Sequence, residues 1–155
     1  MHSGRRKVLQ GTGGFALMGL AMAAGLFKPA LARADWNKED FSTKSFADAV
    51  KAMGGSPPVQ SKDIVLNSPD IAENGAVVPF TVESKLPGTK SIALLVEKNP
   101  NILAADFEIP QGTDPWINTR VKMGQTSRVI ALVNADGKYY YNAKEVKVTL
   151  GGCGG

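Results

Sequence analysis

The chain has 155 residues, with 18 Lys+Arg against 14 Asp+Glu and a single His and a single Cys. Five of the basic residues (Arg5, Arg6, Lys7, Lys28, Arg33) and none of the acids lie in the first 34 positions, so the remainder carries 13 basic against 14 acidic residues, a net charge of −1. Such a body lacks the clustered cations of a nucleic-acid binder. With His2 in the leading segment and Cys153 near the end, it also lacks the residues for Ser-His-Asp or Cys-His catalysis, His-ligated copper, a Cys/His zinc site or a four-thiolate iron–sulfur cluster.

The leading segment reads as an export signal. Arg5-Arg6-Lys7 precedes an apolar, Gly- and Ala-rich stretch over 8–27, and both Ala30-Leu31-Ala32 and Ala32-Arg33-Ala34 have the small-x-small form that a signal peptidase accepts. Cleavage after Ala34 is preferred, which leaves Asp35 as the new N-terminus. A membrane anchor is the alternative, but five glycines weaken the stretch and Lys28-Pro29 ends it early. The paired arginines resemble a twin-arginine signal, with Val8 where Phe is common and Gln10 where Lys is common; a Sec signal is the other route. Either predicts a periplasmic protein.

Phe46, Ala49, Val50 and Met53 recur at helical spacing, with Ser42, Thr43 or Ser45 as N-cap and Gly54-Gly55 as the stop. Beyond Ser56-Pro57-Pro58 the pattern changes to short strands, predicted over 64–66, 77–83, 91–97, 104–109, 117–123, 128–134, 138–141 and 144–150. Asn74-Gly75, Pro87-Gly88, Asn99-Pro100, Pro110-Gln111-Gly112, Gly124 and Asp136-Gly137 punctuate them. Thr119, Val121 and Met123 oppose Arg120 and Lys122, and Val146, Val148 and Leu150 oppose Glu145, Lys147 and Thr149, so these strands have one dry and one wet face. Many short strands, one helix and no βαβ rhythm predict a mainly β protein: an immunoglobulin-like antiparallel β-sandwich over 35–150 with one short N-terminal helix.

Two strands break the alternation. Ile92 to Val96 and Val129 to Val133 are continuous apolar runs, so both of their faces need shelter from water. Either the helix or a partner protein covers the outer face. The outward set is expected to be Ala93, Leu95, Ile130 and Leu132, and these four are the candidate partner interface of a heterodimer.

After Thr149-Leu150 the chain runs Gly151-Gly152-Cys153-Gly154-Gly155. Four glycines supply no side chains to pack and lose the most entropy on ordering, so a mobile arm is expected. The three residues that follow Leu150, ending at Cys153, extend roughly 10 Å. In an oxidising compartment an exposed, unpaired thiol invites random disulfides, which argues that Cys153 has a purpose or an intermolecular bond. No His exists beside it, Lys147 is six residues away, and the terminal carboxylate disfavours the thiolate. A thiol without an activating base suits carrying a group better than turning over substrate.

The terminal KEVKVTLGGCGG, the segment TRVKMGQTSRVIALVNADGKYYYNAKEVKV, the motif VEKNP and the twin-arginine-like leader together resemble the SoxY family, the sulfur-carrying subunits of periplasmic thiosulfate oxidation. The resemblance spans essentially the whole chain, and GGCGG is its specific part. It implies a sandwich paired with a second small β-subunit of SoxZ type. It also implies substrate held as a thiosulfonate or persulfide on Cys153, with Gly151, Gly152, Gly154 and Gly155 giving the arm flexibility and access. The carrier would have no catalysis of its own. A c-type haem enzyme would couple thiosulfate to the Cys, a manganese-dependent thiohydrolase would release sulfate, and a molybdenum/haem sulfur dehydrogenase is an optional further partner; none of these cofactors would belong to this chain.

Other readings compete. Asp106 and Glu108 alternate onto one strand face, as an acid/base pair or as a solvated face. Tyr139, Tyr140, Tyr141 and Trp116 suit a ligand platform or ordinary packing, and Arg120, Lys122 and Arg128 suit anion guidance or a wet face. At the level of the whole protein, the alternatives are a Gly-Gly-ended modifier activated at Gly155 and a structural domain that forms a disulfide-linked dimer.

Overall fold

The computed structural model describes residues 38–149. The signal segment and the arm residues Gly151, Gly152, Cys153, Gly154 and Gly155 lie outside the described residues.

After a 3-10 turn at Asp40–Ser42 comes the α-helix α1 (Phe46–Ala52), the one α-helix among the described residues. Ser45 is its N-cap: the Ser45 Oγ accepts the Asp48 backbone N–H at 3.1 Å, satisfying a donor the helix itself leaves open. At the other end Gly54 takes φ +74°, and the N–H groups of Gly54 and Gly55 bond the carbonyls of Lys51 and Val50. This is the left-handed exit that glycine makes inexpensive. Gly55 is needed for a second reason, since a β-carbon there would sit 2.7 Å from the Tyr139 ring.

Among the described residues nine strands follow: β1 (Val59–Gln60), β2 (Ile64–Asn67), β3 (Ile71–Ala72), β4 (Val78–Ser84), β5 (Thr89–Val96), β6 (Leu103–Glu108), β7 (Trp116–Val121), β8 (Ser127–Ala135) and β9 (Lys138–Val148). One sheet runs β1-β9-β8-β5-β6 with β3 also on β9, and the other runs β2-β4-β7. The fold is the predicted mainly β sandwich. The Asp136-Gly137 hairpin forms as its sequence requires, with φ +49° and +78° at the two turn residues, and it sets the β8–β9 register from Ala135↔Lys138 to Ser127↔Val146.

Two differences from the sequence pattern have local causes. The segments expected over 138–141 and 144–150 form one strand of 11 residues, β9. Asn142 continues the ladder opposite Ala131, and its Nδ2 donates to the Ile64 carbonyl at 2.7 Å, so a residue read as a break instead ties β9 to β2 of the other sheet. The two-residue strands β1 and β3 escaped the pattern because they are too short to show alternation. Both pair parallel to β9, at Val59↔Tyr140 and Ile71↔Lys147.

The two apolar runs serve two cores. Ile92, Leu94, Val96, Val129, Ala131 and Val133 face inward, against Phe80, Val82 and Ile64 of the second sheet. The outward set is Ala93, Leu95, Ile130 and Leu132, as the pleat suggested, with Ala93 opposite Leu132 and Leu95 opposite Ile130. These four candidate interface residues are nevertheless fully buried within the chain, beneath Ala49 and Val50 of α1 together with Ile102, Leu103 and Tyr139. The helix supplies the shelter that the sequence left open between helix and partner. None of the four offers surface to a second protein, and a partner on this side meets the layer above them, where Phe46 and Met53 remain half-exposed.

Candidate functional site

Among the described residues there is no Cys or His, and no group of three His, Cys, Asp or Glu side chains that could hold a metal ion. Attention therefore falls on the place where the body hands the chain to Cys153, the end of β9. Pairing with β8 stops at Ser127↔Val146, which leaves the backbone of Val148 without a strand on that side. The Thr126 hydroxyl replaces it: the Val148 N–H donates to Thr126 Oγ1 at 2.9 Å, and the same hydroxyl lies 3.4 Å from the Val148 carbonyl oxygen. On the other side the N–H groups of Lys147 and Thr149 donate to the carbonyls of Asp70 and Ala72 at 2.9 and 3.1 Å. The last described residues are thus held from both flanks. These hydrogen bonds on both flanks fix the backbone of the strand end up to Thr149.

The surroundings of that end are partly fixed and partly exposed. Gly75 passes so close to β7's continuation that a β-carbon there would collide with the Met123 carbonyl oxygen, and the Met123 N–H donates to the Gly75 carbonyl at 2.7 Å. Lys144 Nζ bonds both Asp70 Oδ1 at 2.8 Å and the Ser68 carbonyl at 2.7 Å. The hydrogen bond and charge of Lys144 hold the Asp70 carboxyl below its ordinary value. Ile71 on β3, 55% exposed, and Val77 just before β4, 49% exposed, leave apolar surface nearby.

The other sequence candidates are dispersed. Asp106 and Glu108 both lie exposed on β6. Although Asp106 keeps much of its surface in water, partial desolvation by neighbouring atoms raises its carboxyl, opposed by a hydrogen bond from the Phe107 backbone and reinforced by the negative charges of Asp40 and Glu108. Among the described residues no His or Cys stands beside them. The tyrosines divide by the pleat: Tyr139 and Tyr141 join the cluster under α1, while Tyr140 packs against the inner core. Tyr141 meets Phe46 edge-on with centroids 5.6 Å apart, and the Arg128 guanidinium stands 6.0 Å from the Tyr141 ring while pairing with Glu97 at 3.1 Å. Trp116 is 53% exposed on β7, opposite Glu83 of β4, and shares no platform with the tyrosines. Arg120, on β7, and Lys122, just after it, are exposed and form no ion pair among the described residues.

Comparison with known proteins gives one specific and one general likeness. Residues 49–153 match the family described as SoxY, sulfur oxidation protein SoxY. The solved structure of the sulfur carrier protein SoxY from Chlorobium limicola f thiosulfatophilum is 37% identical, with a TM-score of 0.61, over 67% of this chain and 96% of that one. The superoxide reductase (neelaredoxin) E23A from Ignicoccus hospitalis aligns over 69% of this chain and all of that one with a TM-score of 0.51, but at 15% identity, so the likeness extends to the fold alone. No curated protein matches.

Proposed function

The chain belongs to the SoxY family, and on that premise we propose that it is a covalent sulfur-substrate carrier in thiosulfate oxidation, with Cys153 as the attachment point. The observation that carries this reading is the position of the only Cys in the chain: it lies four residues beyond Thr149, between two glycine pairs, after a strand end held on both flanks. A fixed root and a side-chain-free tether are what a group carrier requires, because the body can stay where it is while the cargo visits different enzymes.

The chemistry balances without a catalytic group on this chain. Coupling thiosulfate to the Cys153 thiol forms a sulfur–sulfur bond, giving Cys–S–S–SO3⁻, and releases one proton and two electrons; a c-type haem enzyme would accept the electrons. Water then cleaves the bond to the sulfonate sulfur, releasing sulfate and leaving the persulfide Cys–S–S⁻, the step assigned to a manganese-dependent thiohydrolase. A molybdenum/haem sulfur dehydrogenase would oxidise the remaining sulfane sulfur. These enzymes and a SoxZ-like β-subunit are the proposed partners, and haem, manganese and molybdenum would be theirs. The compartment proposed is the periplasm, reached through the twin-arginine-like leader.

Intact mass measurement of protein from cells supplied with thiosulfate tests this directly. The chain is expected to gain mass matching a thiosulfonate or persulfide, to lose it on treatment with a thiol reductant, and to show none as Cys153→Ser. A Cys153→Ser protein that supports normal thiosulfate turnover with its partner enzymes would overturn the reading.

A further inference from the structure

Each sheet of the sandwich ends in a strand paired on one side only: β6 has β5 alone, and β7 has β4 alone. Between these edges lies an open cleft of about 460 Å³ whose lining includes Asn99, Asn101, Ala104, Ala105, Arg120 and Lys122. Its electrostatics are one-sided. Two cations and no acid line it, and neither Arg120 nor Lys122 forms an ion pair among the described residues, whereas Arg128 and Lys144 are engaged with Glu97 and Asp70. The wall is also built in advance. Asn99 Nδ2 donates to the Lys122 carbonyl at 2.7 Å and Asn99 Oδ1 accepts from the Gly124 N–H at 3.2 Å, which fixes the loop after β5 against the end of β7. The alanines keep side-chain bulk out of the space.

We propose that this cleft binds a tetrahedral sulfur oxoanion, the group shared by sulfate, thiosulfate and a sulfonate terminus, with Arg120 and Lys122 as its charge partners. Two cations with no competing carboxylate favour an anion, and an arginine fork matches the several oxygens of a tetrahedral oxoanion better than a spherical chloride. The loop that ends the cleft also leads to the root of the arm. Gly124 is bonded to Asn99, and Thr126, two residues on, is bonded to Val148. The four residues from Leu150 to Cys153 span at most about 14 Å from Thr149. The anion has two sources for the test to separate, free in solution as the dianion or as the singly charged sulfonate terminus of cargo on Cys153 of the same chain. Only the second source rests on the carrier reading.

The test uses the 15N-labelled mature chain, with any subunit that co-purifies, in two arms. In the first, a Cys153→Ser protein is titrated with sodium sulfate and sodium thiosulfate against sodium chloride at equal ionic strength, following the amide resonances of Asn101, Arg120 and Lys122. In the second, Cys153 is loaded with tetrathionate, whose attack by the thiolate leaves Cys–S–S–SO3⁻ and releases thiosulfate, and the same amides are followed over a range of protein concentrations. Saturable shifts with the free anions, or concentration-independent shifts on loading, are expected, and Arg120→Gln/Lys122→Gln weakens either effect about tenfold or more. Lys85→Gln/Lys90→Gln serves as the charge-matched control and leaves it unchanged. A response only in the first arm supports the site and excludes the tethered source; one only in the second supports the tethered source. Silence in both arms, or shifts that survive the Arg120/Lys122 double substitution, overturns the proposal. Absence of cargo on Cys153 in cells would count against the carrier reading alone, because the first arm needs no loading.

Discussion

The Tyr139 hydroxyl donates to the Met53 backbone carbonyl at 2.7 Å, joining residues 86 apart in sequence. Met53 caps the C-terminal end of α1, where helix carbonyls have no partner within the helix, and Tyr139 is the second residue of β9, the strand that ends at the root of the arm. One bond thus closes the helix and fastens it over the outer face of β5 and β8. Tyr139→Phe keeps the ring and its packing but leaves that carbonyl unpaired. The expected loss is about 1–2 kcal/mol, read as a lower midpoint in denaturant unfolding, with Cys153 loading unaffected. An unchanged midpoint would show that water satisfies the carbonyl equally well.

Leu95→Asp and Leu132→Asp are expected to fail as folded monomers. Both side chains are completely enclosed by α1 and its neighbours, so each substitution buries an unpaired carboxylate, at a cost of about 3 kcal/mol or more against a total stability of about 5–15 kcal/mol. Circular dichroism melting of the isolated chain is the measurement. A variant that melts normally and loses only partner binding would return these residues to the interface role first expected of them.

Asp106 provides a pH test. A carboxyl whose folded pKa is raised binds its proton more readily in the native state, so it opposes folding at neutral pH, and that penalty is relieved as pH falls through the folded value toward the unfolded one. Asp106→Asn is accordingly expected to raise the melting temperature at pH 7 and to have little effect near pH 3. Asp70 has the opposite sign. Its lowered pKa means that its contribution is present above the unfolded value and lost as pH falls through the folded one. Its full exposure makes that contribution small and sensitive to salt.

Gly152→Ile and Gly154→Trp are expected to leave Cys153 open to thiol reagents while slowing its processing by partner enzymes several-fold. A β-branched or aromatic side chain restricts φ and widens a tether that otherwise has the cross-section of bare backbone. Rates measured at equal carrier concentration decide the matter, and equality with the parent would mean that no narrow channel receives the arm.

The sequence by itself determined the class of the fold, because alternation at 119–123 and 145–149 and the Asp136-Gly137 turn are local consequences of pleat and backbone sterics. It also determined the helix at 46–53, and, through the lone Cys153 in its glycine setting, the family. What the tertiary structure decided were the relationships between distant residues. The pleat assigns Ala93, Leu95, Ile130 and Leu132 to one face without saying what lies on it, and only the docking of α1, fixed through Tyr139 and Gly55, shows that the chain covers them itself. Asn142 reads locally as a break because its amide competes with the backbone, yet Ile64 on the other sheet gives that amide a partner and the strand continues. The cleft of Arg120 and Lys122 was likewise invisible, since the alternation marks those residues as wet but cannot say that β6 and β7 bring their unpaired edges to the same side. Periodicity reports which side of an element avoids water; which element then meets that side depends on contacts whose sequence separation no local pattern encodes.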